Sequence, residues 1–200
     1  MTEKSAPRPG GRSARVQAAV HQAVRALQEE QGRAGLTVPA IASRAGVTPS
    51  TIYRRWGDLA QLLADVAVEQ LQPEQPPADM GSFHNDLRAW LLQYFDEMSS
   101  APGRAMLRDV LGTQGHASAG KCDGFLRQQL EVIRMRALAR GERPVSAETI
   151  IRVVVAPLMY RMLFANEAPE VQAVEALFEQ VMKTGEGDEA GEFRRSTRSL

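Results

Sequence analysis

The sequence predicts an all-α protein of about nine helices, arranged in two parts. Apolar residues recur at spacings of three and four along most of the chain, which is the period of an amphipathic helix. Neither a strand-like alternation of apolar and polar residues nor an internal repeat is found in the sequence. A proline-rich stretch at 72–81 has no such period and divides the chain, as a linker would. We therefore predict one domain over 12–71 and a second over 82–184.

Opposite charges are separated along the chain, although its formal net charge is zero. Residues 1–57 contain nine Lys or Arg and three Glu, whereas residues 58–200 contain 15 basic and 21 acidic residues. This asymmetry predicts a polyanionic partner for the N-terminal end alone, with chance clustering of surface charge as the alternative. Residues 1–11 are polar and rich in Pro and Gly, which predicts a disordered basic arm from which Arg8 and Arg12 could contact phosphate.

The sequence lacks two kinds of segment. Its longest apolar run, 153–160, is far shorter than the roughly 20 residues of a membrane helix, and its N-terminus has no apolar signal region. Cys122 is the only cysteine, so no intramolecular disulfide can form. We therefore expect a soluble, cytoplasmic protein without a membrane partner.

Four helices are predicted in the first domain. The first, over 13–31, carries apolar residues at helical spacing from Val16 to Leu27, and Asp58 caps a fourth helix that reaches Leu71. Between these two helices, the sequence LTVPAIASRAGVTPSTIYRRW predicts two short helices joined by a tight turn. Because none of the four can bury its apolar face alone, we expect them to share one small core.

Local signals mark the ends of the two short helices. Thr37 and Thr48 are candidate N-caps, and the proline that follows each of them suits the first turn of a helix. Gly46 stands where a helix ends in a left-handed residue. A helix, a Gly-containing turn and a second helix with a polar, basic outer face have the layout of a helix-turn-helix, whose second helix enters the major groove of DNA.

The second of these helices carries the residue types that a DNA-reading helix needs. Small polar groups at its N-terminal end reach base edges, and basic or hydroxyl groups around them bind phosphates. An ordinary solvated face is the alternative, but the caps and the Gly turn together favour DNA. The predicted DNA-binding residues are Thr37, Thr48, Pro49, Ser50, Thr51, Tyr53, Arg54 and Arg55.

The stretch IASRAGVTPSTIYRRW, followed by a further helix, resembles the N-terminal DNA-binding domain of the TetR family of bacterial transcriptional regulators. The resemblance implies that Thr51, Tyr53 and Arg55 fall on recurrent DNA-contact positions. Two residues depart from the family pattern. Leu59 stands where the family often has a phosphate-binding Lys, and Pro39 stands where it often has a polar or basic residue. We therefore expect more of the DNA contact to fall on the recognition helix itself.

The second domain is predicted to hold five helices. Ser82 and Ser146 are candidate N-caps, and Pro157 should kink the helix in which it lies. The predicted segments are, in order, a helix from Phe83 to Met98, a break at Pro102 and Gly103, a helix over 104–111, a loop over 112–120, helices over 121–140 and 146–164, a helix from Pro169 and a disordered tail over 185–200.

Aromatic and Met side chains of the second domain are candidates for an effector pocket, with a filled core as the alternative for each of them. The TetR resemblance implies that a small molecule binds this domain and releases DNA. Because few charges fall on these helix faces, the effector should be largely apolar. The candidate ligand-binding residues are Trp90, Tyr94, Phe95, Met98, Met106, Leu107, Val110, Leu126, Leu130, Met159 and Phe164.

A homodimer interface is predicted on the last two helices. A single helix-turn-helix covers only a short site, so such proteins usually bind a palindrome as two-fold dimers. The apolar faces of these helices could form the interface, or they could belong to the core of one subunit. The candidate dimer residues are Leu158, Met162, Val174, Leu177, Phe178 and Val181.

Catalysis has little support in the sequence. The three histidines are scattered, and no metal-ligand spacing, nucleophile motif or phosphate-binding Gly loop is found. Cys122 lacks the positive cluster that would activate a redox thiol. We therefore predict a ligand-released repressor that binds a palindromic operator as a homodimer, with no enzyme activity, cofactor or metal. The alternatives are an enzyme or ligand-carrier bundle with an accessory DNA-targeting domain, and a structural nucleoid protein.

Overall fold

The computed structural model describes residues 11–113, 117–165 and 167–196, with side chains up to residue 184. These residues form nine helices and no strand, which confirms the predicted all-α fold. The helices are α1 (Arg12–Gln31), α2 (Val38–Ala45), α3 (Pro49–Trp56), α4 (Leu59–Leu71), α5 (Phe83–Ser99), α6 (Ala101–Leu111), α7 (Ala117–Ala139), α8 (Ala147–Ile150, continuing through Ile151–Val155, Ala156–Tyr160 and Arg161–Ala165) and α9 (Val171–Ser196).

The chain divides into two compact units. The N-terminal unit contains residues up to Gln70 together with Asp109–Ser118, and the C-terminal unit contains Leu71–Arg108 together with the chain from Ala119. The end of α6 therefore belongs to the N-terminal unit, although α6 begins in the C-terminal one.

One core joins α1, α2, α3 and α4 in the N-terminal unit. The apolar stripe predicted for α1 faces this core, as do the inward residues of both short helices and of α4. The buried side chains are Val20, Ala23, Val24, Leu27, Leu36, Val38, Ile41, Ala42, Ile52, Trp56, Leu62, Leu63 and Val66.

Three of the predicted end signals in this unit are confirmed. The Thr37 hydroxyl accepts a hydrogen bond from the backbone N–H of Ala40 at 3.3 Å, which caps α2. Gly46 ends α2 with φ 66° and ψ 32°, in the left-handed region that a residue with a Cβ rarely adopts. The Asp58 carboxylate accepts from the N–H of Gln61 at 2.7 Å, at the start of α4.

A larger core lies in the C-terminal unit, between α5, α7, α8 and α9. Phe83, Leu87, Leu91 and Phe95 line the inner face of α5 at helical spacing. The other buried side chains of this core are Leu130, Ile133, Ala137, Val145, Ile150, Val154, Val155, Leu158, Val174, Phe178 and Val181.

This packing corrects the predicted dimer interface. Leu158, Val174, Phe178 and Val181 are buried in the C-terminal core, and Met162 is buried beside Met98 and Leu107. Other helices of the same subunit already cover these five side chains, as the alternative of an intramolecular core expects. Leu177, the sixth candidate, is half-buried against the same core.

Several predicted boundaries in the C-terminal unit also differ from the structure. Helix α6 begins at Ala101, so Pro102 and Gly103 lie in its first turn, where a missing backbone N–H is tolerated. A Cβ on Gly103 would lie 2.1 Å from the backbone oxygen of Glu97, so this turn requires glycine. Helix α7 begins at Ala117, inside the predicted loop.

The end of the chain differs from the prediction as well. Helix α9 continues to Ser196, although we expected disorder from residue 185. The last four residues of the predicted tail, and residues 1–10 of the predicted arm, lie outside the described residues.

Pro157 and the caps of the C-terminal unit match their predictions more closely. The Ser82 and Ser146 hydroxyls accept from the backbone N–H three residues on, at 3.2 Å and 3.1 Å. A π-helical turn over Ile151–Val155 ends two residues before Pro157, whose ring nitrogen cannot donate the hydrogen bond of a regular helix.

The irregular segment between α4 and α5 is attached to α7. The Arg136 guanidinium donates to the carbonyl oxygens of Pro77 and Ala78, both at 2.9 Å. Arg140 donates to Asp79 at 2.6 Å and to the buried carboxylate of Asp86 at 3.0 Å. The second half of the predicted linker is therefore held on the C-terminal unit by two arginines.

Candidate nucleic-acid interface

A group of hydroxyls stands at the N-terminal end of α3. Thr48 occupies the N-cap position, but its side chain does not accept from the backbone, so the predicted cap is not formed. Its oxygen lies instead 2.9 Å from the Ser50 hydroxyl and 3.0 Å from the Thr51 hydroxyl. The three hydroxyls can exchange donor and acceptor roles, which suits contact with base edges or phosphate oxygens.

The outer face of α3 is polar along its whole length. Ile52 and Trp56 point into the core, whereas Tyr53 is 50% exposed and Arg54 is exposed beside it. The first residue of the helix, Pro49, is exposed too. The structure therefore places the predicted DNA-binding residues of α3 on one accessible surface of the N-terminal unit.

Arg55 is bound to α1. Its guanidinium donates to the backbone oxygen of Ser13 at 3.0 Å, to the hydroxyl of Ser13 at 2.8 Å and to the side-chain oxygen of Gln17 at 2.5 Å. The same group lies 5.2 Å from the centre of the Trp56 ring, in cation–π contact. Arg55 thus fastens the end of the recognition helix to the start of α1, with three of its five N–H donors engaged within the protein.

A groove of about 540 Å³ lies between α1 and α3. Three guanidinium groups border it, and the hydroxyls of Ser13 and Thr51 lie between them. Such a set of donors with no carboxylate fits an anion such as a phosphate. The lining residues are Arg12, Ser13, Val16, Thr51, Arg54 and Arg55.

Three arginines of the N-terminal unit, Arg25, Arg33 and Arg44, have carboxylate partners. Arg44 pairs with Glu30 at 2.5–2.9 Å, and its hydrogen bond holds the pKa of Glu30 below its usual value. Arg33 pairs with the buried Asp109. Within the described part of the chain, Arg12, Arg15 and Arg54 have no carboxylate partner, and two of these three border the groove.

The two departures from the TetR pattern have different surroundings. Leu59 is half-buried and packs against the core of the N-terminal unit, as Val47 does after the turn. Pro39 is exposed in the first turn of α2. The structure therefore gives Leu59 an apolar role in place of a phosphate contact.

The candidate ligand-binding residues separate into three sets. Phe164 is 76% exposed and stacks on Tyr160 with ring centres 5.1 Å apart, away from the buried candidates. Val110 lies in the N-terminal unit. The remaining nine are buried or half-buried in the C-terminal unit: Trp90, Tyr94, Phe95, Met98, Met106, Leu107, Leu126, Leu130 and Met159.

Ser13 and Gln17 are the residues of this surface that sequence reasoning missed. Both lie on the polar side of α1, and their partner Arg55 is about 40 residues away in the chain. A helical period shows that this side faces away from the core, but it does not show which side chain of another helix will reach it.

Comparison with known proteins identifies both units. Residues 21–66 match the family model described as bacterial regulatory proteins, tetR family, and residues 77–181 match the one described as tetracyclin repressor-like, C-terminal domain. The chain belongs to the TetR family. It is therefore a DNA-binding transcriptional regulator and not an enzyme.

Curated relatives match this chain over most of its length. The HTH-type transcriptional regulator AqdR of Rhodococcus erythropolis is 31% identical over 160 residues, which cover 78% of this chain and 76% of the relative. An uncharacterised HTH-type transcriptional regulator of Mycobacterium tuberculosis is 26% identical over 174 residues, covering 78% and 80%.

A solved structure supports the TetR fold. A TetR transcriptional regulator from Agrobacterium tumefaciens matches with a TM-score of 0.56 at 23% identity, over 86% of this chain and 94% of that chain. None of the helices in the described part of the chain has the length and hydropathy needed to span a bilayer.

Proposed function

We propose that this TetR-family regulator is a cytoplasmic repressor that binds a palindromic operator as a homodimer and is released by a small, largely apolar effector. The observation that carries the proposal is the polar face of α3 next to a groove bordered by three guanidinium groups. A protein that reads bases on one helix also needs cations beside that helix to fix its register on the phosphates.

The proposed DNA contacts divide by chemistry. Pro49, Ser50 and Thr51 at the start of α3 would approach base edges, with the Pro49 ring against a thymine methyl. Tyr53 and Arg54 on the outer face would bind phosphates, together with Arg12 from α1 and the exposed Thr37 at the start of α2. Arg55 would act on DNA indirectly, by holding α3 against α1.

The dimer surface is proposed on the exposed part of α8 and the start of α9. Tyr160 is 64% exposed and Phe164 is 76% exposed, and their rings stack on each other. Val171 is exposed as well. Large aromatic side chains exposed together on one subunit are typical of protein contacts, and dimerisation is typical of the TetR family. These three residues replace the buried candidates as the surface offered to a second subunit.

The effector site is proposed around Tyr94 in the C-terminal unit. Tyr94 stacks on Trp90 with ring centres 5.1 Å apart, and both Tyr94 and Met159 pack against the main core and against the smaller cluster of Met98, Leu107 and Met162. Burial raises the pKa of Tyr94 far above its usual value, so the phenol stays neutral. A neutral phenol among apolar and Met side chains suits a mostly apolar molecule that has one hydrogen-bonding group.

Footprinting tests the proposed function. The purified chain is incubated with the DNA upstream of its own coding sequence, with and without a panel of small apolar compounds. We expect protection of one palindrome with half-sites about one helical turn apart, and loss of protection with at least one compound. The absence of any protected palindrome would contradict binding of an operator at its own promoter.

A further inference from the structure

His21 lies fully buried between α1 and α4, with a carboxylate at each ring nitrogen. Its Nδ1 is 2.8 Å from an oxygen of Glu69, and its Nε2 is 3.1 Å from an oxygen of Asp65. The two carboxylates lie one helical turn apart on α4, so they reach the ring from both of its ends. No part of the proposed DNA surface includes this residue.

The hydrogen bonds around the two carboxylates determine what the ring must donate. The Asp65 oxygen that faces His21 also accepts from the Trp56 indole at 2.9 Å and from the Gln17 amide at 3.3 Å. The Glu69 oxygen that faces His21 also accepts from Arg25 at 2.8 Å. Both oxygens are therefore acceptors, and both nitrogens of His21 must donate. Only the imidazolium has two N–H donors.

The charge on Glu69 supports this arrangement. Partial burial alone would raise the pKa of Glu69, but the hydrogen bonds from His21 and Arg25 outweigh burial and lower it. Glu69 is therefore ionised when the surroundings are neutral, and it cannot donate a proton to the ring in place of the imidazolium.

The hydrogen bonds that join His21 to α4 extend to the recognition helix through Asp65. Trp56, the last residue of α3, donates to the same Asp65 oxygen, and its ring lies 5.9 Å from the His21 ring. On the other side, the Arg55 guanidinium stacks over Trp56. The charged and titratable groups around His21 are thus Arg25 on α1, Asp65 and Glu69 on α4, and Arg55 beyond the Trp56 ring on α3.

We propose that His21 is a positioning residue for the recognition helix, and that DNA binding weakens when its hydrogen bonds to Asp65 and Glu69 are removed. A replacement side chain with fewer N–H donors leaves a carboxylate oxygen of α4 without its partner. Because His21 is 0% exposed, water cannot fill the place of the lost donor without movement of a helix. The Asp65 carboxylate is shared with Trp56, so its displacement moves the end of α3.

A single-tryptophan protein makes this movement visible. In a Trp90→Phe background, Trp56 is the only tryptophan, and its emission reports on the end of α3. Nitrogen-15 spectra of the histidine rings show directly whether both nitrogens of His21 carry protons. We expect both to carry protons, and we expect the Trp56 emission to change in His21→Gln.

Glu69→Gln supplies the comparison, with Glu29→Gln as its control because Glu29 is exposed on α1. Glu69→Gln alters the acceptor of the His21 Nδ1–H, so the His21 nitrogen signals and the Trp56 emission should both change, and Glu29→Gln should leave them unchanged. Unchanged signals in Glu69→Gln, or a neutral His21 ring, would overturn the proposal.

DNA binding gives the functional result. With the duplex protected in the footprint as the probe, affinity should fall about tenfold in His21→Gln, and Glu29→Gln should bind as the unsubstituted protein does. Full affinity in a folded His21→Gln protein would overturn the role of His21 in DNA binding. The spectroscopic measurements need no DNA, so failure of the footprint would not affect them.

Discussion

Arg55, near the end of the recognition helix, donates two hydrogen bonds to Ser13 at the start of α1, at 3.0 Å and 2.8 Å. A residue that the TetR resemblance places among the DNA contacts is therefore engaged inside the protein. This relationship separates two kinds of arginine on α3, since Arg54 beside it is exposed at the groove. The two should respond to substitution in different ways.

Arg55→Ala should lower the stability of the N-terminal unit. The substitution removes three hydrogen bonds and the cation–π contact with Trp56, with an expected loss of about 1 kcal/mol, or ~2–4 °C in Tm. Thermal unfolding followed by circular dichroism measures this change. A Tm equal to that of the unsubstituted protein would show that these contacts contribute nothing in solution.

Arg54→Ala should leave stability unchanged and weaken DNA binding. Arg54 has no carboxylate partner among the described residues, so its loss removes only a phosphate contact. Operator affinity should fall about five- to tenfold, and the slope of log affinity against log salt should become shallower by about one. Fluorescence anisotropy at several salt concentrations tests this, with Arg44→Ala as an exposed control that is already paired with Glu30. An unchanged salt slope would remove Arg54 from the interface.

Tyr53→Ala should also retain the fold, because half of the Tyr53 side chain is exposed and it belongs to no core cluster. We expect operator affinity to fall about tenfold while the Tm stays within about 1 °C. Affinity and Tm are measured on the same preparation. Full affinity in a folded Tyr53→Ala protein would show that the outer face of α3 does not meet DNA as proposed.

Phe164→Glu should convert the dimer to monomers. A charge placed on the exposed aromatic pair would be desolvated in the interface without a partner, whereas in the monomer it stays in water. Sedimentation equilibrium gives the molecular mass directly. Met135→Glu serves as the control, since Met135 is a comparably exposed apolar residue on α7. A dimer that survives Phe164→Glu would place the interface elsewhere.

The parts of the fold that local signals determine could be predicted from the sequence. Thr37, Gly46 and Asp58 each act through the backbone within a few residues, so their type and position suffice. The amphipathic period likewise shows that a helix has an apolar face. It does not show what covers that face. The sequence therefore leaves both a dimer interface and an intramolecular core open for Phe178, which the structure buries in the core of one subunit.

Contacts between distant segments could not be predicted. Arg55 and Ser13 are 42 residues apart, and His21 and Glu69 are 48 residues apart. Arg, His and Glu on exposed-looking positions are ordinary in a soluble helix, so the sequence contains no sign that these particular side chains meet. Helix α3 has the proposed DNA surface on its outer face, and its C-terminal end is hydrogen-bonded to α1 and α4. This arrangement becomes visible only in the assembled core.

Directed cleavage of DNA tests the central claim that α3 enters the major groove. Cys122 is the only cysteine, so Ser50→Cys in a Cys122→Ser background carries a single thiol for an iron–EDTA label at the start of α3. Glu29→Cys in the same background labels the exposed side of α1 as a control. We predict strand cleavage from residue 50 at two symmetric positions inside the protected palindrome, and no such cleavage from residue 29. Cleavage from residue 50 only outside the palindrome, or the same pattern from both labels, would contradict the placement of α3 on DNA.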